Sequence, residues 1–328
     1  MAKKENTKFK TSVGGQALME GILMRGPKKQ AIVCRKSDGE LVSKVEDLHF
    51  IKEKYPILGV PFIRGVFGLL DSMVKGMKAL TWSIDLLPEE EQEAPSKLDA
   101  WIEKKLGGEK AQSVIIGIAV IMGILLSIGL FVMLPAFFFE ALPDSIHLVL
   151  RCVLEGVIRI IIFLIYLYLC TRLKDIKRMF AYHGAEHKAI FCYEKGLPLT
   201  TENVKAQSRF HPRCGTSFMF VVMLISILVI SVMTWVLSLF PAVAALPGIL
   251  SALVRIAAKL VLLPLVIGIT YEINRWVGRH ENAFSSALSW PGRQLQRLTT
   301  FEPDDSMIEC AIESLKLVVP ENEDDAAW

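Results

Sequence analysis

Residues 111–139 read AQSVIIGIAVIMGILLSIGLFVMLPAFFF, 29 positions without a charged side chain. A helix crosses the hydrocarbon core of a bilayer with about 20 apolar residues, so this stretch predicts a transmembrane helix. Pro135 and the aromatic run Phe137–Phe139 mark its far end, where rings favour the membrane interface. The whole chain agrees with a membrane reading: of its 328 residues 52% are hydrophobic, and the mean hydropathy is +0.41. Three further spans are predicted at 147–170, 216–240 and 250–271. The second carries Arg151, Glu155 and Arg159 at four-residue spacing, hence on one face. Such charges are costly at membrane depth and need partners; an ion-pair ladder within the helix is the expected arrangement. Arg255 and Lys259 in the fourth span offer Glu155 a second partner.

Charge distribution sets the orientation. Between Thr171 and Gly215 there are nine Lys or Arg against four acids, whereas residues 136–150 hold no Lys or Arg. The positive-inside bias therefore places 171–215 and both termini in the cytosol. The opening MAKKENTKFKTSVGG is basic and polar, which predicts no cleaved signal peptide. The six cysteines follow no disulfide or metal-ribbon spacing, so no structural disulfide is expected. No glycine loop of the phosphate-binding or dinucleotide type occurs, and no basic-aromatic patch marks a nucleic-acid partner.

The N-terminal part reads as soluble. Glycines at 14, 15, 21 and 26, with Pro27, predict a loop-rich opening over residues 13–33, with Glu20 and Arg25 each needing a partner. Residues 30–47 predict a β-hairpin around Ser37-Asp38-Gly39. Residues 57–87 predict an amphipathic helix, lying on the membrane surface or in a cytosolic core. Residues 87–97 predict an acidic linker. At the other end a short helix is expected from about Asp304, with Ile308, Ile312 and Leu315 as its apolar stripe, followed by an acidic disordered tail.

The chemistry concentrates in YHGAEHKAIFCYEKG, beginning at Tyr182, and SRFHPRCGTS, beginning at Ser208. His183, Glu186 and His187 have the spacing H-x-x-E-H, which puts two imidazoles and a carboxylate on one helical face. The motif is that of the inverzincins, in which two imidazoles hold a metal and the carboxylate serves as base. His211 and Cys214 in the His-Pro-Arg-Cys-Gly turn are candidate further ligands. Glu186 is the candidate general base and Arg213 the cation for a developing negative charge. A polar cluster closing a helix bundle has the same residue types. The helix of the motif is expected to continue from span two without a break and to end near Gly196, with a second short helix capped by Thr200. Arg209 to Thr216 would then turn the chain back to the membrane.

The blocks GGQALMEGILMRGP, YHGAEHKAIFCYEKG, SRFHPRCGTSF, YEINR and QRLTTFEPDD, in this order, resemble the YqhQ-like family of bacterial membrane proteins over nearly the whole chain. The resemblance implies a predicted metal-dependent enzyme. It carries His183, Glu186, His187, His211, Arg213, Cys214 and Glu272 onto the family's motif positions.

The expectation is thus an α-helical polytopic protein of the bacterial cytoplasmic membrane, with four transmembrane helices and a small α+β cytosolic part that includes a β-hairpin. Its regions are 1–97, cytosolic; 98–170, spans one and two; 171–215, the cytosolic connection with the motif; 216–271, spans three and four; and 272–328, cytosolic. Its expected cofactor is a divalent metal, zinc by ligand type. Its expected activity is hydrolysis at the cytosolic membrane face, on a substrate the sequence does not identify. The competing reading is a non-enzymatic membrane scaffold or assembly factor that binds a protein or ribonucleoprotein, with four protein ligands closing a structural metal or with a polar cluster alone. A transporter, resting only on charges in the spans, ranks last.

Overall fold

The computed structural model describes residues 9–49, 53, 55–88, 96–143, 145–246, 248–280 and 282–320. Most of the predicted linker and nearly all of the predicted tail lie outside the described residues. Two compact units emerge. One comprises Met1–Leu87, Leu167–Val222 and Pro264–Trp328, the other Pro88–Tyr166 and Met223–Leu263.

The first unit is built on an antiparallel sheet of four strands, β1 (Gly14–Leu18), β2 (Gly21–Arg25), β3 (Lys29–Arg35) and β4 (Leu41–Asp47), in the order β1-β2-β3-β4. The predicted hairpin is the β3–β4 pair, with Gly39 at φ 90 in its turn. The predicted loop over 13–33 is instead two strands. Glycine there serves close approach rather than irregularity: a Cβ on Gly21 would strike the Val33 carbonyl and Cys34 across the β2–β3 ladder. Glu20 takes the positive φ of 49 in the tight β1–β2 turn, and Arg178 and Tyr182 hold its carboxylate. Arg25 pairs with Asp71 at 3.0 Å.

The runs in β2 and β3 do not alternate apolar with polar because both faces are covered. Ile22, Met24, Ala31 and Val33 face one core, with Tyr182, Ala185 and Ala189 of one helix and Ile308, Ala311, Ile312 and Leu315 of another. Leu23, Ile32 and Cys34 face the opposite core with Ala79. Each large side chain buried this way contributes about 1.5–3 kcal/mol relative to exposure. The helices concerned are α1 (Ile63–Asp85), α6 (Lys174–Glu194) and α12 (Asp305–Lys316). α1 answers the amphipathic prediction, and α12 starts from Asp304, whose side chain accepts the Met307 N–H at 2.9 Å. Between them lie α7 (Thr201–Lys205), capped by Thr200, and α11 (Ala283–Thr299), which the hydrophobic pattern did not announce. α6 does not continue from the preceding helix: a turn at Thr171–Leu173 separates it from α5 (Leu148–Cys170).

The second unit holds α2 (Lys97–Leu106), α3 (Gly108–Ile128) and α4 (Leu134–Ala141), with a π-turn at Gly129–Met133 between the last two. It also holds most of α5, of α8 (Gly215–Ser238) and part of α10 (Gly248–Arg279), with the short α9 (Pro241–Ala244) between them. Among the described residues, three helical stretches are long and apolar enough to cross a membrane: Lys110–Ala141, Phe218–Ser238 and Leu250–Arg279. α5, the predicted second span, is helical but is not among them. Ile121, Met122, Leu125 and Leu126 are more than half exposed, an apolar surface that needs lipid or protein cover. Within this unit Glu155 is buried between Lys259 at 2.5 Å and Arg159 at 2.8 Å, and Arg159 also donates to the Phe131 carbonyl in the π-turn.

Candidate metal centre

α6 places its buried face against the sheet and the segment after α11, and the motif lies in the middle of that face. Glu186 and His187 are buried and His183 is half-buried. Both imidazoles are oriented by backbone carbonyls. His183 Nδ1 donates to Thr299 O at 2.8 Å, and His187 Nδ1 donates to Arg209 O at 2.5 Å. The carbonyl acceptors fix a proton on Nδ1 of each ring, so Nε2 is the atom that each can offer to a metal. The ring centroids are 4.4 Å apart.

The Ser208–Cys214 segment brings the third donor. Cys214 immediately precedes α8, and the Thr216 N–H points at its sulfur at 3.4 Å. His183 Nε2 is 3.2 Å from Cys214 Sγ. One donor atom from each of His183, His187 and Cys214 lies within 4.8 Å of the others. A tetrahedral metal with legs of about 2.0–2.3 Å separates its donors by roughly 3.3–3.8 Å, so the set fits with small adjustment.

The electrostatics follow from this packing. Burial alone would raise the Cys214 thiol, but the imidazoles of His183 and His187 hold it well below its ordinary value. Burial would likewise lower His183; the Cys214 sulfur opposite it and the Glu186 carboxylate instead raise it to about 9. Glu186 is pushed up by burial, against the pull of both imidazoles. Gly15 lies against its carboxyl group, and Oε2 accepts no hydrogen bond among the described residues.

His211 stands next to this group and is turned away from it. Its ring packs on Phe191 with centroids 4.5 Å apart, and its Nε2 faces Glu194 Oε2 at 3.5 Å. Gln296 of α11 clamps its backbone, accepting from the N–H at 2.8 Å and donating to the carbonyl at 2.7 Å. Arg213 pairs with the fully buried Glu194, which also accepts the Thr11 N–H at 2.9 Å. Glu272 lies elsewhere in the first unit, gripped by Arg64 and the Phe62 N–H. A cavity of about 450 Å³ opens beside the donors, lined by His183, Glu186, His187, His211, Arg213 and Cys214 among others.

Sequence reasoning passed over Glu194, Gly15, Gln296 and the carbonyls of Thr299 and Arg209. Glu194 had a signal, since it follows His187 by seven positions and so shares its helical face. The carbonyls had none, because any residue type supplies one.

No solved structure matches this chain. It is 33% identical over 315 residues to the uncharacterized protein YqhQ of Bacillus subtilis (strain 168), covering 94% of this chain and 92% of that one. The pattern of the family described as protein of unknown function (DUF1385) matches residues 60–321, from before α1 to past α12 and so through the whole donor set. By both measures the chain belongs to that YqhQ-like family.

Proposed function

We propose that this protein is a metal-dependent hydrolase of the cytoplasmic membrane, with four membrane crossings and its site on the cytosolic side. One observation carries the reading: three donors converge on one point, and a cavity, not a fourth protein donor, adjoins them. Closed four-ligand sets are structural, whereas three protein ligands with an open position are the catalytic pattern. His211, which could have closed the set, is not among the converging donors, and its Nε2 lies 3.5 Å from Glu194 Oε2.

Nε2 of His183, Nε2 of His187 and Sγ of Cys214 would hold the ion, and the nitrogen–sulfur donor set suits zinc. Bound there, it would polarise a carbonyl or phosphoryl oxygen as a Lewis acid. Glu186 is the base. Burial keeps its affinity for protons high, and Oε2, which accepts no hydrogen bond among the described residues, is left to take a proton from the attacking water. Arg213 lines the same cavity and is the cation placed to face a developing negative charge.

The test is metal analysis of the full chain purified in detergent, together with cellular complementation. Wild type is expected to carry zinc near one equivalent and His187→Ala none. Glu186→Gln is expected to retain zinc and to lose function, since a positioned proton-transfer group contributes about 10²–10⁴ in rate. Full complementation by Glu186→Gln would remove the enzyme and leave a scaffold with a structural metal. Wild type without metal, together with a silent His187→Ala, would reduce the cluster to a structural one.

A further inference from the structure

The cavity is bounded on one side by an edge of the sheet. β1 is the outermost strand, so its far edge has no neighbouring strand in the sheet. Gly14, Gly15, Gln16 and Ala17 of β1 line the cavity along with the donor residues. The two-residue turn Met19-Glu20 makes the facing residues Leu18 and Gly21 the hydrogen-bonded pair, and counting back in alternation puts the N–H and C=O of Gly15 pointing away from β2. Ladder bonding alternates along an antiparallel pair, so the N–H and C=O of Ala17 point the same way. Neither joins another backbone group outside the sheet among the described residues. Gly15 and Gln16 are exposed, so the strand is open to solvent at this point. Beyond this edge the cavity wall is apolar: half-buried Ile176, Met179 and Phe180 from α6, and Met219 from the start of α8.

We propose that the substrate is an extended polypeptide segment that adds to the free edge of β1 as a further strand. Its apolar side chains rest on Met179, Phe180 and Met219, and one of its peptide bonds is presented to the His183–His187–Cys214 cluster. Strand addition supplies affinity through the main chain and selectivity through side-chain pockets on alternate positions. Met219 lies inside the candidate span Phe218–Ser238, so such a segment would be met at the membrane surface. The cleavage step rests on the hydrolase reading, and the binding step does not. Cleavage consumes one water: its oxygen joins the carbonyl carbon as the C–N bond breaks, and the proton taken by Glu186 passes to the departing amine. A lipid acyl chain would suit the apolar wall but would leave the Ala17 N–H and C=O unused.

The experiment uses the full-length Glu186→Gln protein in detergent, so that bound peptide persists, with zinc content measured in parallel. Displayed random peptides of about 12 residues, long enough for one strand and its flanks, are selected against it. The best is resynthesised with a fluorescent label, and again with alternate backbone nitrogens methylated. Saturable binding by anisotropy is expected, weakened about tenfold or more by methylation, because main-chain hydrogen bonds are lost while side chains are kept. Ala17→Pro removes the outward N–H but no ladder bond, and is expected to weaken binding similarly at unchanged zinc content. Equal binding of the methylated peptide, or selection of no peptide, overturns the proposal. So does saturable binding of dihexanoylphosphatidylcholine without peptide binding. Peptide binding in a metal-free protein would keep the strand site and remove the hydrolase; zinc without peptide binding would do the reverse.

Discussion

Burial drives the His211 imidazole toward its neutral form, down to about 4, against the opposing pull of the Glu194 carboxylate. Burial also acts on Glu194 and would raise it, but His211 and Arg213 hold it below the usual carboxylate range. The sign of the pH dependence follows. An unfolded chain protonates His211 near 6.5, and the folded one only near 4. The unfolded state therefore binds more protons between those values, and stability falls as pH drops through that window. Glu194 adds to the loss only below the unfolded carboxylate value, as pH falls through its depressed folded one. A chelator-treated protein should lose on the order of 2 kcal/mol of stability from His211 between pH 7 and pH 5. In His211→Asn, whose amide oxygen can still accept the Arg213 N–H that His211 Nδ1 accepts at 3.4 Å, this sensitivity should shrink. Thermal unfolding of both proteins at the two pH values checks it. Parallel loss in the two would assign the acid sensitivity to other groups.

α6 is the element that makes the site, and its packing leaves no slack. Gly184 follows His183 directly, and a Cβ there would run into the Phe301 carbonyl, with Pro303 behind it. Phe301 N in turn donates to Phe180 O at 2.8 Å, so α6 and the segment after α11 are joined within a turn of the carbonyl that orients His183. Gly184→Ala should separate them, costing about 1–3 kcal/mol by overpacking and lowering zinc affinity. Gly68→Ala on α1, where a Cβ meets nothing within 4 Å, should be neutral or slightly stabilising, since alanine favours the helix. Equal effects of the two on unfolding temperature and zinc affinity would show that the α6 contact is not tight. The same contacts explain what was legible beforehand. α6 carried a motif, α12 an acidic cap and an apolar stripe, and the β3–β4 hairpin an Asp-Gly turn, all local signals. β1 and β2 were hidden because their glycines answer to neighbours distant in sequence. α11 was hidden because Pro291 lies inside it and polar residues outweigh its apolar ones, in a helix that delivers Gln296 and the Thr299 carbonyl.

At the scale of the molecule the membrane crossings must agree with one compact unit. Leu87 and Leu167 both belong to the first unit, as do Val222 and Pro264. If that unit lies on one side of a bilayer, each stretch of chain that leaves it must cross an even number of times. The second excursion, Met223–Leu263, holds most of the candidate span Phe218–Ser238 and part of Leu250–Arg279, but the first has, among the described residues, only Lys110–Ala141. In the proposed topology of four crossings α5 would return the chain. Its charges are compatible with that role because Glu155 is matched by Arg159 and Lys259, and Arg159 finds a carbonyl in the π-turn. On the positive-inside bias we expect residues 171–215, with nine Lys or Arg against none in 136–150, on the cytosolic side. Cysteines placed singly at Ser145 and Lys195 test this with a membrane-impermeant maleimide on intact cells, the unaltered chain serving as blank. Ser145→Cys should label and Lys195→Cys should not. Labelling of Lys195→Cys alone would invert the orientation while keeping α5 as a span. Equal behaviour of the two sites would mean that α5 does not cross, because a single crossing between residues 145 and 195 is what separates them.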